Sequence, residues 1–252
     1  MAGNSGSGNG QPLAYADRET ALTGVLFRPA GAGNGRAILV VHEADGIGGN
    51  VRRRAAALAD AGYVALAADL HGAGAPLEGA EMQAAVERFR VDPDRLRRRT
   101  AAGLDALSEA AAVGPSAIAA IGYCFGGLAV LELARSGADL CAVASFHGLL
   151  TTAAPAHPGA VRARIAAFTG ARDPLVPPAD VAAFQAEMTA ADADWQLHVY
   201  GRAWHSFTNP AVDGLNGPRM RYDARADAAS WAALTTFLDA SFAARARSVT
   251  SG

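Results

Sequence analysis

The stretch AAIGYCFGGLAVLELA, residues 119–134, decides the fold. It predicts a buried strand over 117–122 and an amphipathic helix over 125–136, with Cys124 alone in the turn between them. Gly122 and Gly126 stand two residues to either side, giving G-x-C-x-G. A strand that reverses into a helix this tightly has no room for side chains at its flanks, so the central residue is left strained with its side chain lifted above the sheet end. The competing reading is a small buried cysteine in an ordinary strand-to-helix turn. What decides between the two is what else the chain brings to the same edge.

Outward from this turn, short apolar runs alternate with amphipathic stretches. Strands are predicted over 21–30, within 36–46, over 63–72, over 141–146, 164–169 and 195–200. Helices are predicted over 50–62, with Asn50 as the capping residue, in one or two pieces over 81–112, and near 178–190 and 222–243. The segment DPDR at 92–95 marks a helix start through its Asp and Pro. Alternation of this kind argues for an α/β fold, a mostly parallel sheet with helices on both faces. Uninterrupted apolar strands such as AILVV (37–41) fit burial on both sides. With no internal repeat and no linker, a single domain is expected over 13–243, between a flexible leader at 1–12 and a flexible tail at 244–252.

Bulk composition narrows the partners. Of 252 residues, 51% are hydrophobic and 18% charged, with a net charge of -2, which gives no global attraction to nucleic acid or to an anionic membrane surface. The two RRR clusters, 52–54 and 97–99, read as solvated helix faces. No segment approaches the roughly 18 apolar residues of a membrane span, and the start of the chain lacks the pattern of a signal peptide. Two cysteines, Cys124 and Cys141, make no disulfide framework, so a reducing, cytoplasmic setting is expected. The histidines are dispersed, with no H-E-x-x-H or C-x-x-C spacing, and GIGGN (46–50) lacks the lysine of a phosphate loop, so no metal and no cofactor are expected. A small-molecule substrate and a monomer or weak homodimer complete the expectation.

A thiol needs a base or a positive neighbour to attack at neutral pH. On a sheet of this kind the order along the chain is nucleophile, acid, histidine. TGARDPLVP (169–177) ends one predicted strand and places Asp173 in a turn, while YGRAWHSF (200–207) ends the next and places His205 in the loop beyond it. His205 is thus the candidate base and Asp173 its orienter. His198 falls within a strand, His157 in a loop and Asp180 in the first turn of a helix, and each fits less well. The amide of Phe125, after the cysteine, and that of Ala44, in HEADGIGG (42–49), are the candidate oxyanion donors. Glu43 in the same loop is a carboxylate at the sheet edge that needs a partner if buried. Near the thiol it would hold the cysteine at rest or take its proton; otherwise it is an ordinary acidic residue at the start of a helix. Tyr123, His147, Trp204, Phe207 and Asn209 flank these positions and are expected to line the substrate pocket, with the polar loop 207–221 as one wall.

VVHEADGIGG, ALAADLHG, GYCFGG, TGARDPLVP and YGRAWHSFTNP, with the following YDARADAASWAALTTFL, together resemble the dienelactone hydrolase family of α/β-hydrolases, from about residue 13 to 240. The resemblance implies an α/β-hydrolase fold, a Cys124–His205–Asp173 triad, Phe125 and Ala44 amides as the oxyanion hole, and a role for Glu43 in switching the cysteine between inactive and thiolate forms. It also implies hydrolysis of an ester or lactone without a cofactor. Members acting on dienelactone grip the substrate carboxylate with arginines, one shortly after the catalytic histidine; here Asn209 stands at that position, and AGAPLEGAEMQ after DLHG holds none. Arg172, Arg202 and Arg219 are the candidate substitutes. The expectation is therefore a dienelactone hydrolase-like enzyme, with a short-chain carboxylesterase on less charged substrates as the alternative. A non-catalytic ligand-binding scaffold is the alternative of another class.

Overall fold

A computed structural model describes residues 10–72, 74–215 and 217–250, with side chains to 247. Its centre is an eight-stranded sheet in the order β1-β2-β4-β3-β5-β6-β7-β8. The strands are β1 (Gln11–Asp17), β2 (Thr20–Phe27), β3 (Ala37–Val41), β4 (Val64–Ala68), β5 (Ile118–Tyr123), β6 (Ala142–Phe146), β7 (Arg164–Gly170) and β8 (Trp195–Tyr200). From β4 to β8 every pairing is parallel, while the β1–β2 hairpin adds antiparallel to β4 at one edge. The helices are α1 (Gly49–Asp60), α2 (Gly79–Arg90), α3 (Pro93–Ala111), α4 (Phe125–Arg135), α5 (Pro178–Ala190) and α6 (Ala224–Thr250).

The apolar run AILVV is fully buried because successive side chains enter opposite layers. Leu39 and Val41 join the layer formed with α3, α4 and α5, while Ile38 and Val40 join the layer formed with α1 and α6. Strand order reverses between β3 and β5, the switch point at which the carboxyl ends of parallel strands can receive a ligand.

Four expectations are corrected. Gln11 and Pro12, expected in the leader, belong to β1, whose residues pair with β2 from Gln11↔Leu26 to Asp17↔Thr20; the rest of that leader, 1–9, lies outside the described residues. The tail expected from 244 continues as α6 to Thr250 because its Ala and Arg residues are strong helix formers, and Arg245 pairs there with Asp139. Asn50 is not the cap of α1: that position is Gly48, and Asn50 sits inside the helix with its side chain turned to Glu43. Nor are the arginine clusters plain solvated faces. Arg54 is buried against Asp227 of α6, and Arg99 is buried against Asp17 of β1 and the Leu70 carbonyl. Each cluster lies on a helix that crosses other elements, so only part of its surface meets water. At 92–95, by contrast, Asp92 accepts from the Arg95 amide and Pro93 opens α3.

Candidate active site

The turn after β5 is as tight as its glycines suggest. Cys124 has φ 54° and ψ −114°, a strained conformation for a residue with a side chain. A Cβ on Gly122 would lie 2.0 Å from the Gly126 carbonyl oxygen, and one on Gly126 would lie 2.3 Å from that of Val41. The Cys124 amide donates to the Phe146 carbonyl at 3.0 Å and also faces Nδ1 of His147 at 3.2 Å, which pins the strained residue to the end of β6.

Beyond β7 and β8, two loops bring Asp173 and His205 over this turn. Nε2 of His205 lies 3.1 Å from Sγ of Cys124, and its Nδ1 lies 2.8 Å from Oδ2 of Asp173. The other Asp173 oxygen accepts from the Leu175 amide at 2.8 Å, which fixes the carboxylate. Gly170 lets the His205 loop close over β7, because a Cβ there would fall 2.3 Å from the Ala203 carbonyl oxygen. Burial disfavours a charge on His205, but the Cys124 sulfur and the Asp173 carboxylate outweigh it and push the imidazole up to about 10. A thiol against an imidazole that a carboxylate orients is an arrangement that can supply a nucleophile, a base and its orienter.

The Phe125 amide, first in α4, has no acceptor within its helix and lies at the positive end of the helix dipole. Ala44 follows β3, the strand next to β5, and its carbonyl is held by Nε2 of His71 at 2.8 Å. Glu43 is buried in the same loop. Its Oε1 accepts from Asn50 at 3.1 Å and Asn209 at 2.9 Å. Burial, and then the charge of Asp45, push its carboxyl up to about 7 against the pull of those two amides.

The expected pocket residues divide. Trp204 and Asn209 are half-exposed beside His205. Tyr123, His147 and Phe207 are fully buried, so the expectation that they line the pocket is corrected: they support it from behind. Tyr123 stacks on Phe146 inside the core, and Phe207 meets the edge of His147. Nε2 of His147 faces Thr208 Oγ1 at 2.8 Å, and burial followed by the His205 charge holds it well below the usual imidazole range. Arg172, Arg202 and Arg219 are exposed, while Arg53 reaches Asn50 Oδ1 and the Thr208 carbonyl. His198 stacks on Phe168 within the sheet, His157 is exposed, and Asp180 stands in the first turn of α5. Among the described residues, no group of three or more His, Cys, Asp or Glu is arranged to hold a metal ion.

Sequence reasoning missed His42, His71, Asn50, Thr208 and the Arg54–Asp227 pair. His42, directly after the AILVV run, and His71, at the end of the strand predicted over 63–72, carried a signal as histidines at strand ends. The others depend on contacts over long separations.

A mostly parallel sheet covered on both faces, with a strained cysteine turn at its switch point, defines an α/β-hydrolase. The sequence model of the dienelactone hydrolase family matches residues 22–242, and the chain belongs to that family. It is 34% identical to a dienelactone hydrolase-like promiscuous phosphotriesterase from metagenomic libraries, whose crystal structure covers 93% of this chain and 99% of that one at a TM-score of 0.85. It is 31% identical over 194 residues to a probable 2-oxo-3-(5-oxofuran-2-ylidene)propanoate lactonase of Bradyrhizobium sp, covering 72% of this chain and 77% of that protein. An uncharacterised protein of Caenorhabditis elegans is 36% identical over 151 residues, which is 59% of this chain and 96% of that protein. The protein is a dienelactone hydrolase-like hydrolase of the carboxylic ester class. Among the described residues no helix is long and apolar enough to cross a membrane.

Proposed function

We propose that this hydrolase cleaves a small ester or lactone through an acyl-enzyme on Cys124, with His205 as base and acid and Asp173 as its orienter. The observation that carries the reading is the 3.1 Å approach of His205 Nε2 to the sulfur, backed by the 2.8 Å contact of Nδ1 with Asp173. The Cys124 thiolate attacks the carbonyl carbon, and the carbonyl π pair moves onto oxygen, where the Phe125 and Ala44 amides receive it. As that pair returns, the C–O bond to the alkoxy group breaks and His205 gives it a proton. Water then adds to the thioester, passing its proton to His205, and the acid leaves as the C–S bond breaks and the thiolate returns. Glu43, close enough to act on His205 electrostatically, is a proton reservoir that adjusts the resting state of the cysteine.

A neutral or weakly charged substrate is favoured by one observation. Asn209, at the position where the resemblance implies an arginine, is turned onto Glu43 and offers no cation to a substrate carboxylate. Two unpaired thiols suit a reducing compartment, and the reading adopts a cytoplasmic monomer or weak homodimer without a cofactor.

The test compares dienelactone, p-nitrophenyl acetate and a neutral aryl phosphotriester, the last because of the phosphotriesterase relative, each with Cys124→Ala as the blank. Ester turnover that needs Cys124 supports the reading. Full turnover by Cys124→Ala, or a Cys124 that iodoacetamide leaves unlabelled in folded protein, overturns it in favour of a binding scaffold. Rapid Cys124-dependent loss of dienelactone overturns the preference for uncharged substrates.

A further inference from the structure

His71 lies outside the triad and touches both residues assigned to the oxyanion hole. Nε2 of the imidazole is 2.8 Å from the Ala44 carbonyl oxygen. The same ring stacks on the Phe125 ring, with centroids 5.8 Å apart and planes only 9° from parallel. Nδ1 is buried without a hydrogen-bond partner among the described residues. The proton therefore sits on Nε2, where the carbonyl accepts it. One imidazole thus joins the loop after β3 to the first residue of α4.

The ring is itself held from several sides. Asp69 accepts from the His71 and Gly72 amides through Oδ1, at 3.0 and 2.9 Å, and from the Thr23 and Gly74 amides through Oδ2, each at 3.0 Å. His42 packs against it at 4.7 Å between centroids, with its own Nδ1 on the Glu43 carbonyl at 2.6 Å and its Nε2 accepting from the Leu70 amide at 3.1 Å. Phe89 of α2 closes the group, 6.4 Å from His71 and 5.7 Å from Phe125. A rigid set of rings is what a pair of donors needs if they are to meet a developing oxyanion without reorganising.

We infer that His71 is a positioning residue for the oxyanion hole, fixing the Ala44 loop by a hydrogen bond and Phe125 by a ring stack so that their two amides converge. The inference rests on the acyl-enzyme reading given above. It adds a residue that acts on the transition state through Ala44 and Phe125, without touching the substrate.

The experiment uses the full chain with p-nitrophenyl acetate for kcat and KM, and iodoacetamide for the alkylation rate of Cys124. Alkylation is a displacement at a saturated carbon and forms no oxyanion, so it reports the cysteine and His205 without the hole. His71→Phe keeps a ring and removes the donor; His71→Gln restores a donor near the Nε2 position. The expected result is a fall in kcat of about tenfold to a hundredfold for His71→Phe, with KM and the alkylation rate within about twofold. His71→Gln should recover most of kcat. An unchanged kcat, a loss confined to KM, or an alkylation rate that falls in step with kcat overturns the inference. Should His71→Phe fail to fold, His71→Gln and His71→Asn decide it: activity in Gln but not in the shorter Asn supports the role, and equal activity refutes it. Cys124→Ala run alongside separates the two layers, since full activity there sinks the acyl-enzyme reading itself.

Discussion

Asn209, in the loop beyond β8, donates to Oε1 of Glu43, in the loop after β3, across 2.9 Å. Asn50 reaches the same oxygen at 3.1 Å, so the hydrogen bonds to this buried carboxylate come from two neutral amides, and the charge of His205 acts on it without a hydrogen bond. Burial then decides its protonation, and the carboxyl is pushed up to about 7.

For Glu43 the folded value lies above the ordinary carboxyl value of 4.5. Its contribution to stability is therefore fully present below pH 4.5 and is lost as pH rises through about 7. A shift of this size corresponds to a loss on the order of 3 kcal/mol. Glu43→Gln, which cannot ionise, should match the parent at about pH 4 and exceed it by a few kcal/mol at about pH 8. Urea unfolding at the two pH values checks this, and an equal difference at both would contradict it. Asn209→Arg should lower the carboxyl and flatten the same dependence.

His205 is displaced in the direction that favours its cation. Its folded value of about 10 lies above the ordinary 6.5, so its contribution is present below 6.5 and is lost as pH rises through about 10. Cys124→Ala removes the sulfur that helps raise it, and should bring the His205 titration down toward the ordinary range in an NMR experiment. The same variant should lose ester turnover by at least about a thousandfold. An unmoved titration would mean that Asp173 alone sustains the cation.

Asp173→Asn keeps the shape of the site and presents an amide to Nδ1 of His205. The imidazole then loses its preferred tautomer, and kcat should fall between about a hundredfold and ten-thousandfold with little change in KM. Steady-state kinetics decide it, and a change confined to KM would assign Asp173 to binding.

Arg54 and Asp227 form a buried ion pair between α1 and α6, and Arg54 also donates to the Thr208 carbonyl at 3.2 Å. Arg54→Met strands the carboxylate and should cost about 3–5 kcal/mol in chemical denaturation. Adding Asp227→Leu should recover most of that stability, as an apolar pair of similar size replaces the charges. Failure to recover would show that the Thr208 contact carries the effect.

Gly126→Ala sets a Cβ 2.3 Å from a backbone oxygen that cannot step aside. It should destabilise by more than about 3 kcal/mol or abolish soluble expression. Gly214→Ala, with nothing within 4 Å, is the control and should stay within about 0.5 kcal/mol. Thermal melts of the pair make the comparison.

What the sequence by itself determined is local or periodic. Runs such as AILVV required strands buried on both faces, G-x-C-x-G required a tight strand-to-helix turn, and Asp92 with Pro93 required a helix start. The chain order of Cys124, Asp173 and His205, after β5, β7 and β8, was legible for the same reason: parallel strands deliver their carboxyl ends to one edge. The tertiary structure alone decided which polar side chains face one another. Asn50 reads as a helix cap until α1 is set beside the loop of Glu43, and Arg54 reads as a solvated face until α6 is laid across it. His71 acquires its place only when β4 pairs with β3 and puts its ring between Ala44 and Phe125. Such pairings depend on distances between segments far apart in the chain, which no local pattern encodes.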